Sequence, residues 1–128
     1  MRVTATAVTF NVDDVHASSR FLIDHFGFWE KFTTEDLASM AREDVPIDVV
    51  FLRRGMDVLP EDQRETHAAG MILAFTVEDL EGELARLEAE GVTITMPFTV
   101  DPWGERSFQV RDPNGVIIEL LDWSTPVD

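Results

Sequence analysis

Glu119 is a carboxylate set in residues 116–121, an otherwise apolar run of the kind that forms a buried strand. Burying an ionised acid there costs several kcal/mol unless the charge is paired, protonated or bound to a metal. The residue therefore marks candidate chemistry: recognition of a cation or hydrogen-bond donor, or a general base of raised pKa in apolar surroundings. The plainer reading is a brace across a hairpin to Ser107, Gln109 or Arg111. Asp48 is a second acid in a strand-like segment, residues 47–52. Trp103, in a Pro-Trp-Gly loop, offers an indole face on which a planar or cationic ligand gains about 1 kcal/mol.

Other chemistries lack their residues. The chain has no cysteine, which excludes disulfides, thiolate metal sites and a Cys nucleophile. It also has no G-x-S-x-G, no phosphate-binding Gly loop and no HExxH. His16 and His25 share a predicted helix, but nine positions at about 100° each put them on opposite sides, so they cannot ligate one ion. His67 falls in a polar loop.

The elements that position these residues follow from periodicity. Val8, Phe10 and Val12 alternate with Ala7, Thr9 and Asn11, which predicts a strand with one core-facing side. Asp13 and Asp14 stand where a helix is capped, and the helix runs from Val15 until Gly27. Strands are expected at 28–33, weakly at 38–42, and at 47–52. The programme then restarts: Phe10, Val12 and Asp14 correspond to Phe75, Val77 and Asp79. Leu80, Leu84 and Leu87 form the apolar stripe of a second helix ended by Gly91, and strands follow at 92–96, 107–111 and 116–121. Between the last two, Asp112-Pro113-Asn114-Gly115 is a tight-turn signature. The result is one α+β domain of two tandem βαβββ modules, about 1–55 and 70–123, joined by a linker at 53–69.

A strand, then DPNG, then a strand carrying Glu four residues after the Gly, with Trp103-Gly104-Glu105-Arg106 ahead of the hairpin, resembles the vicinal oxygen chelate proteins. These include glyoxalases, bleomycin resistance proteins and extradiol dioxygenases. The resemblance implies a cupped, barrel-like mixed sheet with helices outside, a ligand trough inside and a homodimer. Strand alternation groups residues by face, and the resemblance implies which of those faces line the trough. The residues on them are Ala7, Thr9 and Asn11; Asp48, Val50 and Leu52; Ile72, Ala74 and Thr76; and Ile117, Glu119 and Leu121, with Trp103 at the border.

In metal-dependent relatives four such positions supply His, Gln or Glu ligands, and here they fall on Ala7, about Val50, Ile72 and Glu119. Three of these have no donor atom, and one carboxylate cannot hold a catalytic divalent ion against water. No cofactor is expected; the alternative is a divalent metal on Asp48, His67 and Glu119. The expected function is a metal-free binding protein that sequesters a hydrophobic or cationic ligand, such as an antibiotic. The alternative is a metal-dependent or Glu119-based lyase, isomerase or dioxygenase. The formal net charge of −15 disfavours nucleic acid and anionic membranes as partners and suits a cationic ligand. No run is apolar enough to span a bilayer and no secretory pattern opens the chain, so a cytoplasmic location is expected.

Overall fold

The computed structural model describes residues 1–123. The chain forms two compact units, the first Met1–Gly70 and the second beginning at Met71. Each carries one four-stranded mixed sheet and one long helix.

In the first unit the order is β1 (Ala7–Val12), α1 (Val15–Phe26), β2 (Trp29–Thr33), β3 (Leu37–Ala41) and β4 (Asp48–Arg53). The sheet runs β1-β4-β3-β2, with β1 and β4 parallel and the other pairs antiparallel. Asp14 caps α1, its carboxylate accepting from Ala17 N at 3.1 Å. Gly27 ends the helix at φ 68°, a left-handed conformation that disfavours a side chain. Arg42 donates to Phe26 O there and helps satisfy the last carbonyls. Phe10, Val12, Met40, Val49 and Phe51 are buried on the helix-bearing face with Val15, Leu22 and Phe26 of α1. Ser19 of α1 fixes the contact through bonds to Met40 Sδ and Glu30 Oε1.

In the second unit the order is β5 (Ile72–Thr76), α2 (Leu80–Ala89), β6 (Ile94–Val100), β7 (Glu105–Arg111) and β8 (Ile117–Trp123). The sheet order β5-β8-β7-β6 repeats the first, again with one parallel pair, β5 and β8. Asp79 caps α2 through Gly82 N. Leu80, Leu87, Phe108, Val110, Ile118 and Leu120 supply its buried core. Arg106 ties sheet to helix: its guanidinium meets Asp122 at 2.7 and 2.5 Å and Glu81 of α2 at 2.5 Å. The Asp112–Gly115 turn closes as its residue types predict, with Asp112 Oδ1 accepting from Asn114 N and Val116 N and Gly115 at φ 83°.

One expectation shifts. The strand expected at 92–96 runs instead from Ile94 to Val100, through Pro97. Proline is tolerated because β6 is an edge strand whose register with β7 is broken twice. The stretch expected as a linker at 53–69 is largely turn and irregular backbone and clusters with the first unit. Asn11 Nδ2 donates to Arg64 O and Thr66 O, Ala68 N donates to Asn11 O, and Arg54 N to Val12 O.

Candidate functional site

Each sheet has a face opposite its helix, here called the open face, and strand pairing decides what lies on it. In the first unit Ala7, Thr9 and Asn11 stand beside Asp48, Val50 and Leu52, partner by partner. Ser39 continues the Thr9–Val50 row and Leu37 the Asn11–Leu52 row. All six positions assigned to this face by alternation therefore share it. They are not equally accessible: Ala7 and Thr9 are exposed, Asp48 and Val50 partly so, and Asn11 and Leu52 are buried. Asn11 is covered by the segment that its own amide holds, and its Oδ1 keeps no partner.

On the edge strand the sequence had concealed a feature. The register between β2 and β3 slips by one between Glu30 and Phe32, so Trp29 pairs with Ala41 and Phe32 with Ser39. The bulge puts both rings on the open face, where strict alternation would separate them. Both are exposed, Trp29 at 53% and Phe32 at 61%. Lys31, the extra residue, reaches Asp48 Oδ2 at 2.7 Å. Asp48, expected to be available to a cation, already has one.

In the second unit Ile72, Ala74 and Thr76 pair with Ile117, Glu119 and Leu121. Across β8, Glu119 faces Gln109, whose Nε2 donates to Glu119 Oε1 at 3.3 Å. This is one of the hairpin braces that the sequence suggested, and a single long bond leaves most of the carboxylate's accepting capacity open. Glu105 pairs with Trp123 on the same face. Asp101 shapes the loop between, accepting from Trp103 N at 3.1 Å and Glu105 N at 2.9 Å. Burial pushes the Glu105 carboxyl above its ordinary pKa, the Glu119 and Asp101 charges push it further, and a hydrogen bond from the Trp103 side chain pulls it back. Trp103 is 66% exposed and Trp123 45% exposed, so neither fills a core. Leu121 is buried, whereas Ile72 and Ala74 are open to solvent.

Glu105, Lys31 and Phe32 are the residues that sequence reasoning passed over. For Glu105 a signal existed, since it stands in the Trp-Gly-Glu-Arg loop; for the other two the bulge left none.

The donor set does not fit a divalent ion. Ala7, Val50 and Ile72 offer no ligating atom, and Glu119 alone remains. The alternative set is no better provided: Asp48 is paired with Lys31, and His67 Nδ1 lies 3.3 Å from its neighbour's carbonyl, Ala68 O. Among the described residues no three His, Asp or Glu side chains gather as a metal-holding group. Nor is any helix among them long and apolar enough to cross a membrane.

A profile of the Glyoxalase/Bleomycin resistance protein/Dioxygenase superfamily matches residues 4–120. Solved structures agree in fold. A glyoxalase/bleomycin resistance protein/dioxygenase from Nocardioides superposes with TM-score 0.75 at 18% identity, covering 100% of this chain and 88% of that one. A lactoylglutathione lyase from Agrobacterium tumefaciens gives 0.73 at 18%, with 94% of each chain covered. TnmS3, an antibiotic binding protein from Streptomyces sp. CB03234, gives 0.73 at 20%, covering 97% of this chain and 99% of that one. No curated protein matches the sequence.

Proposed function

The chain belongs to the Glyoxalase/Bleomycin resistance protein/Dioxygenase superfamily, and from that premise we propose that it is a small-molecule binding protein that works without a metal. One observation carries the reading. Of the four positions that supply ligands in metal-dependent relatives, Ala7, Val50 and Ile72 have no donor atom, while Glu119 keeps its carboxylate on the open face. A lone acid among Ile72, Ala74, Ile117 and Leu121 suits a ligand with an apolar body and a cationic or hydrogen-bond-donating group. Trp103, Trp123 and Glu105 extend that surface with indole faces and a second negative charge. The antibiotic-binding relative supports an antibiotic as one ligand class. A homodimer is part of the reading, checked by sedimentation velocity.

A second reading, an isomerase or lyase centred on Glu119, is favoured by Glu105 on the same face, whose carboxyl is held above its ordinary pKa by burial and by the Glu119 and Asp101 charges and can so carry a proton.

Titration with bleomycin, followed by tryptophan fluorescence on protein treated with chelator, tests the first reading. Saturable quenching that survives chelation and weakens in Glu119→Gln is expected. Quenching that appears only after a divalent ion is restored would contradict it.

A further inference from the structure

We propose that Asp101 is a positioning residue, which holds Trp103 and Glu105 as one preformed pair, an indole beside a carboxylate, for a ligand's cationic group. The inference rests on the reading above that the chain binds a small molecule with such a group, and it assigns a role to a residue that acts through its neighbours. The turn between β6 and β7 carries the argument. Asp101 bonds Glu105 from both sides: its own N donates to Glu105 O at 2.9 Å, and its Oδ1 accepts from Glu105 N at 2.9 Å. The same oxygen accepts from Trp103 N at 3.1 Å, and Gly104 N donates to Asp101 O at 3.1 Å. Inside this closed turn Pro102 has its φ fixed by its ring, and Gly104 takes φ 92°, a value that a side chain resists. One carboxylate oxygen therefore sets the backbone at both members of the pair.

The side chains follow the backbone. Trp103 is 66% exposed, yet its side chain hydrogen-bonds to Glu105. An indole has only its N–H to give, so the Glu105 carboxylate accepts, and it accepts best when ionised. A cation that reaches this carboxylate also comes beside the indole, and gains from both. A surface tryptophan that its ligand must first order binds more weakly than one already held. The charges acting on Glu105 are those of Glu119 on β8 and of Asp101 itself, and both oppose its ionisation. Arg106, next in the chain, is engaged by Asp122 and Glu81 instead. Asp101 thus has two separable effects: its oxygen orders the pair, and its charge delays the ionisation of Glu105.

Two substitutions separate these effects, since Asp101→Asn keeps an acceptor oxygen without the charge and Asp101→Ala removes both. In ligand-free protein the indole N–H of Trp103, assigned by Trp103→Phe in a proton–nitrogen correlation spectrum, should shift with pH as Glu105 ionises, and Glu105→Gln should abolish that shift. Asp101→Asn should keep the titration and move its midpoint to lower pH. Asp101→Ala should remove it from the Trp103 signal, with an unmoved Trp29 signal reporting an intact fold. By fluorescence titration, the Kd for bleomycin should rise roughly fivefold or more in Asp101→Ala and far less in Asp101→Asn. A Trp103 signal that titrates in Asp101→Ala as in the parent overturns the proposal, as does a bleomycin affinity that the same substitution leaves unchanged. If Asp101→Ala does not fold, an unshifted midpoint in Asp101→Asn is enough to overturn it. Absence of bleomycin binding by the parent would count against the proposed function instead, and the indole titration would still decide whether Asp101 holds the pair.

Discussion

Glu119 and Glu105 share a face and differ in what their surroundings ask of them. Glu119 accepts one long bond from Gln109, so Glu119→Gln keeps the hairpin register while removing the charge. Its expected effect is a loss of roughly tenfold or more in affinity for a cationic ligand, with thermal unfolding little changed; calorimetry on both properties checks it. Glu105 is held above its ordinary pKa by burial and by the neighbouring Glu119 and Asp101 charges. Cation affinity should therefore keep rising with pH beyond the usual carboxylate range, as Glu105 ionises, and Glu105→Gln should flatten that part of the profile. Asp122 has the opposite perturbation, its pKa lowered first by the hydrogen bonds from Arg106. A depressed carboxylate stabilises the fold above its unfolded pKa of about 4. That contribution is lost as pH falls through the lower folded value, so acid unfolding of Asp122→Asn should be less steep than that of the parent below that range.

Among the elements, those with strong local signals were legible. Asp14 and Gly27 mark both ends of α1 because a side-chain cap and a left-handed residue are local devices. Asp14→Ala should destabilise by about 1 kcal/mol, read from the denaturant midpoint, because Ala17 N loses its acceptor. The face assignments on β1, β4, β5 and β8 hold because those strands pair without slips. On the two edge strands, β2 and β6, inserted residues break the alternation; Pro97 falls at one break in β6, but no composition cue marks the one in β2. Strict alternation would put Trp29 and Phe32 on opposite faces, and the bulge brings them to one. The Gly, Pro and charges of residues 53–69 signal loop, but not the carbonyls that Asn11 gathers from across the sequence.

At the scale of the whole molecule, the internal repeat was the sequence feature with the most predictive content. Phe10, Val12 and Asp14 recur as Phe75, Val77 and Asp79, and the two sheets share one strand order, parallel pair included. A formal net charge of −15 is spread over both units, and part of it is offset locally by Lys31, Arg106 and Arg54. What composition could not show is which acids remain available: Asp48 is paired with Lys31, whereas Glu119 and Glu105 share one face and the charge of the first raises the pKa of the second. Binding without a metal is decided by elemental analysis of protein purified without a chelating tag. No stoichiometric metal and no tight uptake of added Ni²⁺, Co²⁺, Mn²⁺, Fe²⁺ or Zn²⁺ are expected. One tightly held ion per chain would contradict it and make a metal-dependent enzyme the better description.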